Sequence, residues 1–132
     1  MLPKNRFRIK SIFFSVDVAF ISLKLILPVA RELCADKACA ACLIKPQFEA
    51  GREYVGKNGV VRDKNVHKRV VENIREFCLN NGFSVLGLDF SPIKGPQGNI
   101  EYLIYIEKCD TTTDKCVVSS DDIVEKSHLA LD

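Results

Sequence analysis

Tryptophan is absent from the 132 residues, and neither sign of charge dominates: Lys+Arg total 19, Asp+Glu total 17, and the net charge is +2. The near balance excludes a polybasic protein that holds nucleic acid through a global field, so any such contact has to come from a local patch. An uninterrupted hydrophobic span is also missing. The start MLPKNRFRIK is basic and residues 11–30 are largely apolar, the layout of a secretion signal. Asp17, Lys24 and Pro28 break that run, whereas a membrane helix needs about 20 residues nearly free of charge. The expectation is a cytoplasmic protein that neither enters nor crosses a membrane. A G-x-G-x-x-G turn opening a helix is lacking as well. Gly51, Gly56 and Gly59 are scattered through a stretch without periodicity, and no dinucleotide site is read from them.

What is present is ordinary globular material. Hydrophobic residues make up 47% and charged residues 27%, which argues against extended disorder. Eight Phe and three Tyr suffice for one core. The length is that of one domain, or of a piece of a larger one.

The six cysteines are Cys34, Cys39, Cys42, Cys78, Cys109 and Cys116. An even count in a short chain can signal a disulfide framework, but such frameworks belong to domains starved of core. Four of these cysteines sit in apolar segments, where Cys is a small hydrophobe, so reduced thiols are expected. Cys39-x-x-Cys42 falls in a strand-like run, and residues three apart on a strand point to opposite faces. With His67 and His128 isolated in the sequence, no metal site is assigned. His67 reads as a surface residue in the first turn of a helix.

Along the chain, SIFFSVDVAF (11–20) reads as a short buried strand ending near Asp17. Ser22 then caps a helix carrying Leu23, Ile26, Leu27, Ala30, Leu33 and Cys34 on one stripe, with Pro28 inside it. ACAACLIK (38–45) is a continuous apolar run, the mark of a parallel strand covered on both faces. Residues 46–63 read as a long loop, and long loops are usually functional. Asp63 caps a helix to about Asn80 with the stripe Val66, Val70, Val71, Ile74, Phe77, Cys78, and Asn81-Gly82 supplies its left-handed ending. FSVLGLDF (83–90) is a strand, SPIKGPQG a turn-rich connection. NIEYLIYIEK (99–108) is the most regular alternating strand. CDTTTDKC is a polar loop, and a final helix over about 120–131 is capped by Ser120 and has Asp121 and Asp122 in its first turn. Strands alternating with helices predict a mainly parallel α/β sheet. The hairpin-length connection at 91–98 predicts that the last strand runs antiparallel.

Three blocks, DVAFISLKLILP (17–28), LIKPQFEAGREYVGKNGVVRD (43–63) and SPIKGPQGNIEYL (91–103), resemble the TlyA, or hemolysin A, family of FtsJ-like RNA methyltransferases. The similarity runs over roughly 11–108, and DDIVEKSHLAL resembles the family's last helix. The resemblance implies the second half of a Rossmann-like methyltransferase sheet, S-adenosylmethionine as methyl donor and a ribose 2′-hydroxyl of ribosomal RNA as acceptor. It divides the chain into a segment 1–10 that matches nothing family-specific and a C-terminal half-domain 11–132. Within the family's Lys-Asp-Lys-Glu tetrad, Asp17 matches the Asp, Lys45 the second Lys and Glu101 the Glu. Asp17, Val18 and Phe20 fall where the family contacts cofactor. The first tetrad Lys, the glycine-rich cofactor turn and the ribose-binding acid precede the counterpart of Phe13 and have no match here. Ala19 also replaces the usual Ser.

Independently of the name, ligands of doubly wound sheets sit outside the carboxyl ends of the parallel strands. Asp17 and Lys45 lie at two such ends. Glu101 starts the last strand, and if that strand is antiparallel its start falls on the same edge. Read alone, Asp17 is a loop acid or helix cap, Lys45 a lysine reaching solvent, and Glu101 a solvated face residue. Together they suit the deprotonation of a hydroxyl nucleophile by a positioned Lys. Asp17 and Glu101 would orient Lys45 rather than activate it. Arg52, Lys57, Arg62 and Lys94 on the two long loops read either as solvated charge or as RNA phosphate contacts beside that edge. Two functions stay open: an RNA 2′-O-methyltransferase fragment inactive without its cofactor half, and a non-catalytic module that binds RNA or pairs with a partner, or with itself, through the strand edge at 13–16. A secreted cysteine-rich protein is the remaining alternative.

Overall fold

The computed structural model describes residues 13–132. Residues 1–12, which hold the segment expected to match nothing family-specific and the start of the first strand, lie outside the described residues. Four strands form one sheet: β1 (Phe13–Val16), β2 (Cys39–Ile44), β3 (Phe83–Phe90) and β4 (Tyr102–Lys108). Their spatial order is β1-β2-β4-β3. β1 and β2 are parallel, while β4 runs antiparallel to both β2 and β3. The short connection before β4 thus made the reversed strand that its length implies.

Helices α1 (Leu23–Leu33), α2 (Pro46–Glu49), α3 (Lys64–Asn80) and α4 (Ser120–Leu131) complete the α/β fold. Two of the expected caps are in place: the Ser22 hydroxyl accepts from the Lys24 N–H, and the Asp63 carboxylate accepts from the Asn65 N–H. Each satisfies an amide that the first helical turn leaves orphaned. At α4 the cap is Ser119, which accepts from Asp122, and Ser120 is the first helical residue. Two adjacent serines give the same sequence signal, and only the backbone angles choose between them. Gly82 ends α3 at φ +84, and a side chain there would overlap Arg31, which reaches across to the Gly82 and Cys109 carbonyls.

The core gathers Leu23 and Leu27 of α1, Ala40, Cys42 and Ile44 of β2, the α3 stripe from Val66 to Cys78, Phe83, Val85, Tyr102, Ile104, Ile106, Ile123 and Val124. Three expectations need correction. β1 is not fully buried: Phe13 is 56% exposed, because β1 lies at an edge of the described sheet. Residues 46–63 are not one loop, because Pro46 at the first helical position and an Ala50 N–H bonded to the Pro46 carbonyl make the short helix α2. His67 is not on the surface but 1% exposed, since helix α4 closes over that end of α3.

All six cysteines are free thiols. Burial alternates along β2, placing Cys42 in the core and Cys39 on the opposite face. Burial pushes the thiols of Cys42 and Cys78 up to about 12, so both behave as hydrophobes. No helix among the described residues is long and apolar enough to cross a membrane.

Candidate active-site edge

Asp17 follows β1 and Lys45 follows β2, so two parallel strands deliver both residues to their carboxyl ends. The antiparallel register pairs Ile44 with Tyr102. The next residue outward on each strand is Lys45 on one side and Glu101 on the other. The third residue therefore reaches the same edge although it precedes β4, as an antiparallel last strand requires.

Side chains bind two of the three directly. The Lys45 ammonium donates to Asp17 Oδ1, with the Lys45 side chain 11% exposed and that of Asp17 65% exposed. Glu101 is only 5% exposed, which overturns the solvated-face expectation. Its carboxylate accepts from Gln47 Nε2 at 2.8 Å. Gln47 stands in the first turn of α2, two residues after Lys45, so the helix that Pro46 starts presents the amide to Glu101. The Gln47 Oε1 atom is buried without a hydrogen-bond partner, a state that native structures keep rare. Reading the sequence for ionisable groups passed over Gln47, although it lies within the Lys45-Pro46-Gln47-Phe48-Glu49 block.

The loop at 91–98 supplies the other wall. A Cβ on Gly95 would overlap the Glu101 carboxylate, so only glycine lets that carboxylate sit where it does. The Gly95 N–H and the Asn99 carbonyl close the turn at 2.7 Å. Asn99 also ties this loop to the 46–63 segment: its Oδ1 accepts from the Val61 N–H at 3.1 Å, and its Nδ2 donates to the Gly59 carbonyl at 2.9 Å. Gly95→Ala is expected to push Glu101 off Gln47 and to cost about 1–3 kcal/mol, the scale of overpacking a filled site. Urea unfolding would measure the loss, and an unchanged midpoint would contradict it.

The turn between β1 and α1 holds the other cofactor candidates. Val18 is half-buried against the core, and Phe20 is 88% exposed with φ +65. Bulky residues seldom occupy that left-handed region. The Phe20 ring tilts over Phe48 of α2 at a centroid distance of 5.0 Å. Glu49 locks the turn from below: it accepts from the Ser22 hydroxyl at 2.6 Å and the Leu23 N–H at 2.8 Å. Burial pushes its carboxyl up, and these two donors oppose that shift. Glu49 is thus engaged at the start of α1.

The four loop cations, Arg52, Lys57, Arg62 and Lys94, are all exposed. Arg62 and Lys94 line one cavity, while Arg52 and Lys57 lie on single-turn 3-10 segments of the 46–63 stretch. The histidines regarded as isolated are in contact: His67 and His128 stand 3.1 Å apart, 61 residues apart in sequence. No local spacing could have signalled that pair.

This architecture is a mixed α/β fold with a four-stranded open sheet, in which Asp17, Lys45 and Glu101 reach the edge where such sheets place their ligands. A profile of the FtsJ-like methyltransferases matches residues 4–108. The chain belongs to the FtsJ-like methyltransferase family. Over 94 residues it is 51% identical to "Putative rRNA methyltransferase YqxC" of Bacillus subtilis, covering 71% of this chain and 34% of that protein. Over 115 residues it is 34% identical to the 16S/23S rRNA (cytidine-2′-O)-methyltransferase TlyA of Mycobacterium tuberculosis, covering 87% of this chain and 41% of TlyA. The solved structure of "Putative hemolysin from Streptococcus thermophilus" superposes with a TM-score of 0.85 at 47% identity, over 89% of this chain and 42% of that one. The chain thus spans well under half the length of these relatives.

Proposed function

We propose that this chain carries the acceptor side of an S-adenosylmethionine-dependent ribosomal RNA ribose 2′-O-methyltransferase, working in the cytoplasm, and that it is inactive without a cofactor-binding half. The observation that carries the reading is the convergence of Asp17, Lys45 and Glu101 on one sheet edge. It is supported by the relatives whose names state rRNA methylation. Lys45 accepts or offsets the proton of the attacking 2′-hydroxyl, Asp17 orients Lys45, and Glu101, fixed by Gln47, faces the same acceptor. The bound cofactor supplies the methyl group. Of this chain's residues, Asp17, Val18 and Phe20 would border it, and the exposed Phe20 ring offers it an apolar face. Arg52, Lys57, Arg62 and Lys94 contact RNA phosphates.

The glycine-rich turn that lets backbone approach the cofactor, and the acid that grips its ribose, have no counterpart in these 132 residues. Isothermal titration of the chain with S-adenosylmethionine is therefore expected to show no micromolar binding. A micromolar dissociation constant would refute the half-site reading.

A partner-pairing role is favoured by one separate observation. Phe14, Ile26, Val29, Ala30, Leu33 and Cys34 form a wholly apolar groove of about 270 Å³ beside β1, and exposed apolar patches mark interfaces. Sedimentation velocity should then show association that grows with concentration. A monomer at every concentration would remove this second reading.

A further inference from the structure

Nδ1 of His67 lies 3.1 Å from Nε2 of His128, across the packing of α3 against α4. The outer nitrogens show where the ring protons sit. His67 Nε2 is 2.7 Å from the Val61 carbonyl, which can only accept, so that nitrogen carries a proton. His128 Nδ1 is 2.6 Å from the Asp132 carboxylate and carries one too. Two neutral rings would then face each other with a lone pair on each inner nitrogen. Tyr102 does not relieve this, although its hydroxyl is 2.9 Å from His67 Nδ1. Ser127 donates to the Val124 carbonyl at 2.7 Å, so the Tyr102 proton goes to Ser127 at 2.8 Å. One additional proton between the rings removes that lone-pair repulsion across the 3.1 Å gap and gives the pair a single positive charge. Burial, and the nearby His128, hold His67 below its ordinary value, and the Asp132 carboxylate lies beside the pair at His128 Nδ1.

The pair forms one wall of a cavity of about 270 Å³, whose lining also includes Arg62, Lys94 and Gly98. Every charged group facing it can be accounted for. Asp132 on α4 is engaged by His128, and Asp63 at the start of α3 accepts from the Asn65 N–H. Tyr102 of β4 is held neutral by burial. Neither the Arg62 nor the Lys94 side chain has a hydrogen-bond or ion-pair partner among the described residues. The cavity thus presents two unpaired cations and the proton-sharing histidine pair, against an Asp132 side-chain carboxylate that is already engaged.

We propose that this cavity binds a tetrahedral oxyanion, a phosphate, with Arg62, Lys94 and the proton-sharing His67–His128 pair as its positive groups. Charge-assisted hydrogen bonds from a guanidinium and an ammonium are the strong contacts available to such a ligand. The proposal rests on, and sharpens, the reading of Arg62 and Lys94 as RNA phosphate contacts. A free phosphate and a phosphate of the RNA backbone offer the same chemistry, and the experiment separates them.

The test is ring-nitrogen NMR on the 15N-labelled chain at pH 7. Without phosphate, one ring of the pair is expected to carry protons on both of its nitrogens, as the contact between the inner nitrogens requires. Two neutral rings would overturn the proposal. Inorganic phosphate should then move the His128 ring signals, while sodium chloride at equal ionic strength should not. Both cations are exposed, so R62A/K94A should fold normally and weaken phosphate binding roughly tenfold or more, as loss of charged hydrogen bonds implies. Phosphate shifts no larger than those from chloride, or shifts unchanged in R62A/K94A, would also overturn it. A short single-stranded RNA whose binding shows the same R62A/K94A loss identifies the source as RNA backbone. Phosphate binding without RNA binding upholds the cavity as a free-phosphate site and removes the RNA reading. RNA binding that R62A/K94A leaves intact shows that RNA does not use this cavity, and overturns RNA backbone as the source of its phosphate.

Discussion

Arg75→Met should destabilise the protein by about 1–3 kcal/mol, the range for leaving buried acceptors without their donor. The Arg75 guanidinium is 8% exposed on α3 and holds Asp114 with two nitrogens, at 2.7 and 3.1 Å. Its remaining N–H groups reach the Val118 and Cys116 carbonyls at 2.8 and 3.0 Å. One side chain thus anchors the polar segment between β4 and α4, which has no apolar stripe to hold it. The segment adds little of its own: Thr113 and Lys115 exchange backbone bonds with Val85, and Thr112 caps the Leu79 carbonyl at 2.7 Å. Met fills much of the volume but leaves the Val118 and Cys116 carbonyls without their donor, and Asp114 with only the Cys116 N–H. The pH dependence follows from Asp114. Burial pushes its carboxyl up, but the Arg75 hydrogen bonds, the Cys116 N–H and the Arg75 charge outweigh that and hold it below 3.8. A depressed carboxylate contributes stability above its unfolded value and loses it as pH falls through the folded one. The wild-type chain should therefore weaken below about pH 4, and R75M should show a shallower acid limb. Urea unfolding at pH 7 and pH 3 measures both. A loss under 1 kcal/mol at pH 7 would show that the segment is held elsewhere.

What was legible in the sequence divides along physical lines. The α3 stripe and the caps Ser22 and Asp63 depend on neighbours within one turn, so periodicity and local chemistry were enough. The antiparallel β4 was legible because loop length limits strand direction. Arg75 was not, because a surface and a buried arginine look alike on an amphipathic helix until the partner segment, 39 residues away, is placed. His67 failed for the same reason: its partners Tyr102 and His128 come from β4 and α4. At the candidate site, the charged residues were found through strand ends and family resemblance. Gln47 and Gly95 were missed because they act through Glu101, one by donating to it and one by leaving it room.

Lys45→Ala should abolish function while leaving the fold almost untouched, the reverse of Arg75→Met. The Lys45–Asp17 pair lies at an open rim with the Asp17 side chain 65% exposed, and exposed pairs contribute about 0–1 kcal/mol. Removing Lys45 leaves Asp17 to water rather than stranding it. The melting temperature should therefore move little. Methyl transfer is another matter, because on the proposed reading Lys45 is the group that handles the proton of the attacking hydroxyl. Loss of a positioned acid or base costs about 10²–10⁴-fold. The assay needs a cofactor site, which a fusion of this chain behind the glycine-rich segment of a family relative would provide. In that fusion Lys45→Ala should lose about 10²–10⁴ in turnover, and Asp17→Asn less, because Asp17 only orients the ammonium. Lys45→Arg should not restore activity, since a guanidinium stays protonated and its planar fork places charge differently. Gln47→Leu tests the same arrangement from the Glu101 side. It should reduce turnover without changing the affinity for S-adenosylmethionine, because the Gln47 side-chain hydrogen bond goes to Glu101. Full activity in the Lys45→Ala fusion, with normal melting, would remove Lys45 from the chemistry and leave the Asp17–Lys45 pair as an ordinary surface contact.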